Sequence, residues 1–200
     1  ELIADFDAKG IDIRAYFDDK RFMLIPDIRD KFTRAVEIKI ESFEDYQQVI
    51  NYDKKRKAAG EFIRQHSVTL QDAEKKYGIS KEVIVGILGV ESEYGTYAGK
   101  YNPFSAYVSM YAMNYRSKFA LAQLEELFLF AHKHDLDVLE LKSSYAGAVS
   151  YAQFLPWSLN RWFVGGDVYN MENNIYSVAN YLAHYKEVTG SLEKAVLRYN

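Results

Sequence analysis

The sequence predicts a mainly α-helical fold, and three observations point to it. Apolar residues recur at spacings of three and four through most of the chain. Glycines and small polar residues punctuate those runs as helix stops and caps. What remains between the helical stretches leaves room for at most a small hairpin, and no internal repeat or low-complexity tract appears.

Residues 1–52 are mixed in character. Asp18-Asp19-Lys20-Arg21 precedes Phe22-Met23-Leu24-Ile25, and Pro26 breaks the run, which reads as short helices and irregular links. Ser42 followed by Glu44 and Asp45 has the form of a capped helix start with acidic residues in its first turn. From Asp53 to Tyr77 the pattern is that of one helix, with Ala59, Phe62, Ile63, His66, Leu70, Ala73 and Tyr77 at helical spacing. Gly78 supplies a left-handed stop and Ser80 a cap for the next helix.

That next segment, Lys81 to Glu91, is apolar on nearly every face and is expected to lie buried in the middle of the molecule. Gly86 and Gly89 each cost about 1 kcal/mol of helix propensity, which makes sense where another backbone packs closely. Glu91 follows Ile84, Ile87 and Leu88 at offsets of seven, four and three, so it shares their stripe near the helix end. Glu93 points roughly 200° away around the helix, toward solvent.

A Tyr-rich stretch then runs from Gly95 to Tyr115, and a second strong helix from Phe119 to His134 has Leu121, Leu124, Leu127, Phe128 and Ala131 on its apolar face. A polar, glycine-marked loop covers Ser143 to Gly147. Trp157 to Phe163 reads as a short helix ended by Gly165-Gly166, Ile175 to Tyr185 as an amphipathic helix, and Leu192 to Tyr199 as the start of another.

Composition narrows the chemistry. The chain has 200 residues, 48% of them hydrophobic, enough for one domain with a sizeable core or one domain in two lobes. Twenty-five basic residues against 28 acidic ones leave no electrostatic footprint for nucleic acid. There is no cysteine, so disulfides, thiolate metal sites and cysteine nucleophiles are excluded, and four scattered histidines suggest no metal site. No apolar window is long enough to span a membrane. Seventeen tyrosines, each with an apolar face and a polar tip, suit a cleft that holds sugars, or else half-cover a small core. The opening Glu1-Leu2-Ile3-Ala4 has neither an initiator Met nor a leader, as expected of a processed exported protein or a trimmed chain.

A carboxylate on a buried stripe is costly when ionised, and burial raises its pKa toward the range a general acid needs. The alternative is a buried hydrogen bond or ion pair from Glu91 to Arg116 or a tyrosine.

Four segments in order carry a family resemblance. Gly89-Val90-Glu91-Ser92-Glu93-Tyr94-Gly95 resembles the Gly-Val-Glu-Ser/Thr-x-aromatic-Gly segment of lytic murein transglycosylases of the MltB type. Ser144-Tyr145-Ala146-Gly147-Ala148 with Tyr151-Ala152-Gln153-Phe154-Leu155-Pro156 is similar to that family's S-x-A-G-A-x-x-Y-x-Q-F-x-P block. Ser177 to Tyr181 matches S-V-A-N-Y, and Arg198-Tyr199-Asn200 matches R-Y-N. The likeness runs from about Lys57 to the end.

The resemblance implies an α+β lysozyme-like fold, with a helical core around the glutamate-bearing helix and a cleft for peptidoglycan. Residues 1–52 would form an N-terminal lobe packing on a core of residues 53–200, which stops short inside a family segment. Glu91 would be the single catalytic acid and base. It would cleave the β-1,4 bond between N-acetylmuramic acid and N-acetylglucosamine without water and leave a 1,6-anhydro end. Substrate-binding roles carry over to Ser144, Gln153, Tyr181, Tyr199, Asn200 and Arg116, with Tyr151 walling the cleft. Each has a plainer alternative: Tyr181 and Tyr151 as packing, Gln153 as a loop-backbone partner, Arg116 as a surface cation.

Two departures stand out. The Pro and first Arg of the family's N-Y-P-R-R segment are missing near Arg116, and Phe119 stands where the family often has tyrosine. The stretch Val164 to Glu172 lacks the alternating oxygen ligands of the calcium loop that some members carry, so neither a metal nor any other cofactor is expected. The implied partner is the peptidoglycan glycan strand and the implied location the bacterial periplasm or cell envelope. A hydrolytic muramidase on the same fold and a non-catalytic peptidoglycan-binding module are the competing functions.

Overall fold

The computed structural model describes residues 1–36 and 41–199. Its helices in chain order are α1 (Leu2–Asp7), α2 (Arg14–Asp18), α3 (Ile28–Val36), α4 (Phe43–Val49), α5 (Tyr52–Gln65) and α6 (Ser67–Tyr77). They continue with α7 (Lys81–Ser92), α8 (Pro103–Ala112), α9 (Ser117–Lys133), α10 (Pro156–Trp162), α11 (Met171–Thr189) and α12 (Leu192–Leu197), and a single 3-10 turn covers Val138–Glu140. The expected mainly helical class is what the chain adopts. Two isolated antiparallel bridges, Tyr101 with Ser143 and Ser143 with Val149, stand where a small hairpin had room.

The chain divides into two units. Unit 1 comprises Glu1–Ile38, Gly99–Val149 and Leu155–Trp157, and unit 2 comprises Lys39–Ala98, Ser150–Phe154 and Ser158–Asn200.

In unit 1, α8 packs along α9 and against α3. Asn102 caps α8 by accepting from the Ser105 N–H at 3.1 Å, and Pro103 at the first helical position sacrifices a donor that would be unpaired anyway. The fully buried Phe104 gathers the rings of Tyr16, Phe17 and Phe22 at 5.4–5.5 Å. Full burial of a ring such as that of Phe104 contributes about 2–3 kcal/mol of transfer free energy. The five-residue α2, too short to be stable alone, is held by this cluster.

In unit 2, α11 packs on α6, α7 and α12, and α5 packs on α7. Ser42 caps α4 as expected, accepting from the Asp45 N–H at 3.0 Å. Gly78, at φ +65°, ends α6. Five expectations need correction. The single helix over Asp53–Tyr77 is two, because His66 leaves helical geometry at φ −111° and ψ 24° while its ring settles 4.6 Å from Phe62. One residue's dihedral change leaves the apolar spacing intact, so periodicity does not reveal it. Ser80 makes no side-chain cap; the Glu74 carboxylate accepts from the Lys81 N–H at 3.2 Å instead.

The helix α7 is not buried on every side. Ile84, Val85, Leu88 and Gly89 are buried, whereas Gly86 and Val90 are exposed. Nor does a backbone press on its glycines: a Cβ at Gly86 would meet nothing within 4 Å, and one at Gly89 would meet the Tyr94 ring. The fifth correction is that α11 begins four residues earlier than the apolar stripe suggested, because Asn170 caps a polar first turn by accepting from the Asn173 N–H at 3.0 Å.

Candidate functional site

Glu91 is the penultimate residue of α7, on the stripe of the fully buried Ile84 and Leu88. Burial pushes its carboxyl up to about 7. The negative end of the helix dipole acts in the same direction. Among the described residues no cation pairs with it and no side chain donates to it, so neither Arg116 nor a tyrosine compensates the charge. The Tyr199 ring lies close enough that the Glu91 charge adds to burial in raising its phenol.

The end of α7 is an unusual turn. Glu93, Tyr94 and Gly95 are consecutive left-handed residues at φ +48°, +60° and +85°. Only glycine adopts that geometry freely; each of the other two costs about 1 kcal/mol or more. Contacts to α5 hold the turn. The Glu93 carboxylate lies 3.1 Å from the Lys54 ammonium and 3.6 Å from that of Lys55, which keeps it below the usual carboxylate range, and the Tyr94 hydroxyl donates to the Lys55 carbonyl at 2.9 Å. Ser92 closes it from inside, donating to the Leu88 carbonyl and accepting from the Gly95 N–H. Glu93 therefore faces away from Glu91's stripe, as its helical phase predicts, but bound to two lysines rather than free in solvent.

Gln153 sits in a loop of unit 2 with left-handed backbone at both Ser150 (φ +73°) and Gln153 (φ +52°). Its amide nitrogen donates to the Ser150 carbonyl at 2.8 Å, the loop-backbone partnership its plainer reading foresaw. Its amide oxygen meets no donor among the described residues. Ala152 beside it is clamped twice: its N–H by Asn174 at 2.9 Å and its carbonyl by the Tyr199 hydroxyl at 2.8 Å. Tyr181, only 7% exposed, donates to the Arg198 carbonyl at 2.6 Å, and burial pushes its phenol up to about 12. It is packed among Trp162, Tyr185 and Tyr199. Tyr151 is half-buried, its ring 6.0 Å from that of Tyr169.

Glu91, Tyr151, Gln153, Tyr181 and Tyr199 thus belong to unit 2, and Ser144 and Arg116 to unit 1; Asn200 lies outside the described residues. Ser144 pins a tight loop, its hydroxyl accepting from the Ala148 N–H at 3.2 Å and its N–H donating to the Ala148 carbonyl at 3.0 Å. Gly147 is required there, because at φ +83° any Cβ would strike the buried Tyr107 ring, whose hydroxyl donates to the Gly147 carbonyl. Arg116 is exposed, with its guanidinium over the Phe119 ring at 4.2 Å and near Phe32 at 5.7 Å. Phe32 also touches Tyr145, next to Ser144.

The model of the transglycosylase SLT domain matches residues 7–192. The chain belongs to the SLT transglycosylase family. It is 36% identical over 137 residues, 64% of its length, to membrane-bound lytic murein transglycosylase B of Escherichia coli (strain K12). It spans 38% of that relative's length. Its fold matches the crystal structure of the soluble lytic transglycosylase SltB1 from Pseudomonas aeruginosa, with a TM-score of 0.84 and 28% identity over 95% of this chain and 67% of that one. It also matches the Escherichia coli lytic transglycosylase Slt35 solved with calcium, with a TM-score of 0.80 and 25% identity over 92% of this chain and 61% of that one. The SLT chain is therefore mainly helical with the lysozyme-like fold of these enzymes.

In the stretch that would correspond to a calcium loop, the Asp167 carboxylate accepts from the Tyr169 N–H at 2.9 Å and the Asn173 side chain donates to the Asp167 carbonyl. Among the described residues no three His, Asp or Glu side chains converge, and no helix is long and apolar enough to cross a membrane.

Sequence reasoning missed Asn174. It is fully buried, and besides holding Ala152 it donates to the Val168 and Asn170 carbonyls. Its signal was an amide three and four residues before Ser177 and Val178, on the apolar face of α11. Phe32 was also missed, and no motif marks it.

Proposed function

We propose that this SLT chain is a peptidoglycan lytic transglycosylase with Glu91 as its single acid and base. One observation carries the reading: a carboxyl held near neutrality by burial, at a helix end, with no cation among the described residues to keep it ionised. Such a group is protonated often enough at pH 7 to deliver a proton, and basic enough afterwards to take one back.

The reaction runs in two steps. Glu91 protonates the glycosidic oxygen between N-acetylmuramic acid and N-acetylglucosamine as the C1–O bond breaks. The muramoyl acetamido group stabilises the positive charge developing at C1. The Glu91 carboxylate then removes the C6 hydroxyl proton while that oxygen closes on C1, which gives a 1,6-anhydro end and returns Glu91 to its acid form. One carboxylate suffices, where most glycosidases use two, because the nucleophile belongs to the substrate and is held at high effective concentration.

The amide oxygen of Gln153, which meets no donor among the described residues, can accept from a sugar hydroxyl or the acetamide N–H. Tyr199 flanks Glu91 and Tyr151 offers a ring face to a sugar. Tyr181 serves by packing behind Tyr199, and Ser144 and Arg116 are substrate contacts by their motifs. Asn200 completes the set by its motif. The setting is the bacterial periplasm or cell envelope, where the polymer lies, with glycan strands as partner and no nucleic acid or cofactor involved.

Mass spectrometry of fragments released from purified peptidoglycan tests this. Anhydro-ended muropeptides from the wild type, and none from Glu91→Gln, are expected. Products heavier by one water would identify a hydrolytic muramidase; binding without release would identify a glycan-binding module.

A further inference from the structure

Asn174 is fully buried in the first turn of α11 and uses both ends of its amide. Its nitrogen donates to the Val168 and Asn170 carbonyls at 3.0 and 2.7 Å, and its oxygen accepts from the Ala152 N–H at 2.9 Å. These three bonds fix which way the amide faces, because a flipped side chain would set donor against donor and acceptor against acceptor. Other polar side chains of the helix grip the stretch before it. The Asn173 amide donates to the Asp167 carbonyl, Ser177 accepts from the Val164 N–H at 2.8 Å, and the Asn180 amide donates to the Trp162 carbonyl at 3.0 Å. Asn174 is the member of this set bonded to the loop that carries Gln153.

That loop needs a clamp. Ser150 and Gln153 are both left-handed, at φ +73° and +52°, a backbone that costs free energy at any residue with a Cβ and persists only where neighbours enforce it. Between them, Ala152 is gripped by both of its backbone groups. Its N–H donates to Asn174 and, at 3.2 Å, to the Ser150 hydroxyl, and its carbonyl accepts from the Tyr199 hydroxyl. Ser150 belongs to the loop and moves with it, whereas Asn174 belongs to a 19-residue helix. With the backbone held, the Gln153 nitrogen donates to the Ser150 carbonyl at 2.8 Å, which leaves the oxygen end of that amide for an outside donor.

We propose that Asn174 is a positioning residue for the glycan reaction: through the Ala152 N–H it sets where the Gln153 amide oxygen meets its donor on the sugar. The inference rests on Gln153 contacting substrate and deepens that reading, because it makes a buried amide that touches no sugar a determinant of rate. A misplacement of about 1 Å at such a contact costs up to about a hundredfold.

The experiment is a double-mutant cycle of Asn174→Ala with Gln153→Ala, with kcat/KM on purified peptidoglycan counted per folded molecule. Each single variant is expected to lose about tenfold and the double variant no more, because a misplaced amide and an absent one are equivalent. Stability should behave otherwise: the cost of Asn174→Ala in urea melts should be the same with or without Gln153. Asn174→Asp keeps an oxygen for the Ala152 N–H but loses both donors. It should therefore melt as early as Asn174→Ala yet hold its rate within about threefold of wild type. Hydrogen exchange of the wild type reads the clamp with no substitution at all, and the Ala152 amide should be protected about as strongly as those of α11. Losses that add in the double variant, an Asn174→Asp rate that follows Asn174→Ala, or an Ala152 amide that exchanges like an open loop would each overturn the proposal. Gln153→Ala with the full wild-type rate would remove the Gln153 contact and this proposal with it, and leave Glu91 untouched. The same cycle, read as affinity for a tetrasaccharide of alternating N-acetylglucosamine and N-acetylmuramic acid, separates the proposal from the chemistry. Coupling in affinity without cleavage by wild type would leave Asn174 in its role and remove the lytic reading.

Discussion

The Tyr199 hydroxyl donates to the Ala152 carbonyl at 2.8 Å, which ties the last described residue of the chain to the loop that carries Gln153. Asn174 holds the same residue by its N–H, so the backbone beside Gln153 is fixed from two directions. The phenol that holds Ala152 also senses the Glu91 charge, which adds to burial in raising it.

Replacing Glu91 by Gln is expected to lower kcat/KM at least about a hundredfold, the usual minimum for losing a general acid. The variant should nonetheless be the more stable protein in neutral solution. The carboxyl's folded value of about 7 exceeds its ordinary value of 4.5, so the folded state binds more protons between those limits and loses stability as pH rises through them. The penalty reaches up to about 3 kcal/mol above pH 7 and is absent below pH 4.5. Urea melts should show Glu91→Gln gaining on wild type at pH 8 and matching it at pH 4.

The same shift sets the pH profile. Activity of wild type on peptidoglycan should fall as pH rises through about 7, as the acid form is depleted. A profile that stayed flat from pH 6 to 9 would show that Glu91 is not the proton donor.

Glu93→Gln should leave kcat/KM within about threefold of wild type, since an exposed ion pair contributes little. The measurement is the initial rate of muropeptide release. A loss as deep as that of Glu91→Gln would mean that the catalytic carboxylate is the other one.

The two glycines of α7 should respond in opposite directions. At Gly86 nothing lies within 4 Å, so Gly86→Ala should gain about 0.5–1 kcal/mol of helix propensity. At Gly89 a Cβ would stand 2.5 Å from the Tyr94 hydroxyl oxygen, so Gly89→Ala should displace that ring and cost about 1–3 kcal/mol. Thermal melts of the pair decide it.

Asn174→Ala should destabilise by about 1–3 kcal/mol, because it strands the Val168 carbonyl and takes from the Ala152 N–H and the Asn170 carbonyl one of the two partners each has. Asn174→Asp should be no milder at pH 7, since it turns an amide donor into an acceptor facing those carbonyls. Urea unfolding measures both.

Glu91 was legible because two one-dimensional signals met on it: a period that placed it on the stripe of Ile84 and Leu88, and a four-part motif order. Helix classes and most of their ends were legible for the same reason, since caps and stops are local, as at Ser42 and Gly78. Where a choice was not local, the sequence misled. His66 breaks a helix without breaking its spacing, and Glu74 takes the capping place of Ser80 from seven residues before Lys81. Gly86 and Gly89 look alike in sequence, yet one faces solvent and the other a tyrosine.

The sequence by itself determined the helical class, the family and the carboxylate on the buried stripe of α7, because periodicity, capping and motif order are properties of the chain read along its length. Only the tertiary structure decided whether Glu91 would have a counter-charge and what clamps Ala152. Those are distances between residues far apart in the chain, and electrostatic cost is set by what lies within a few ångströms in space.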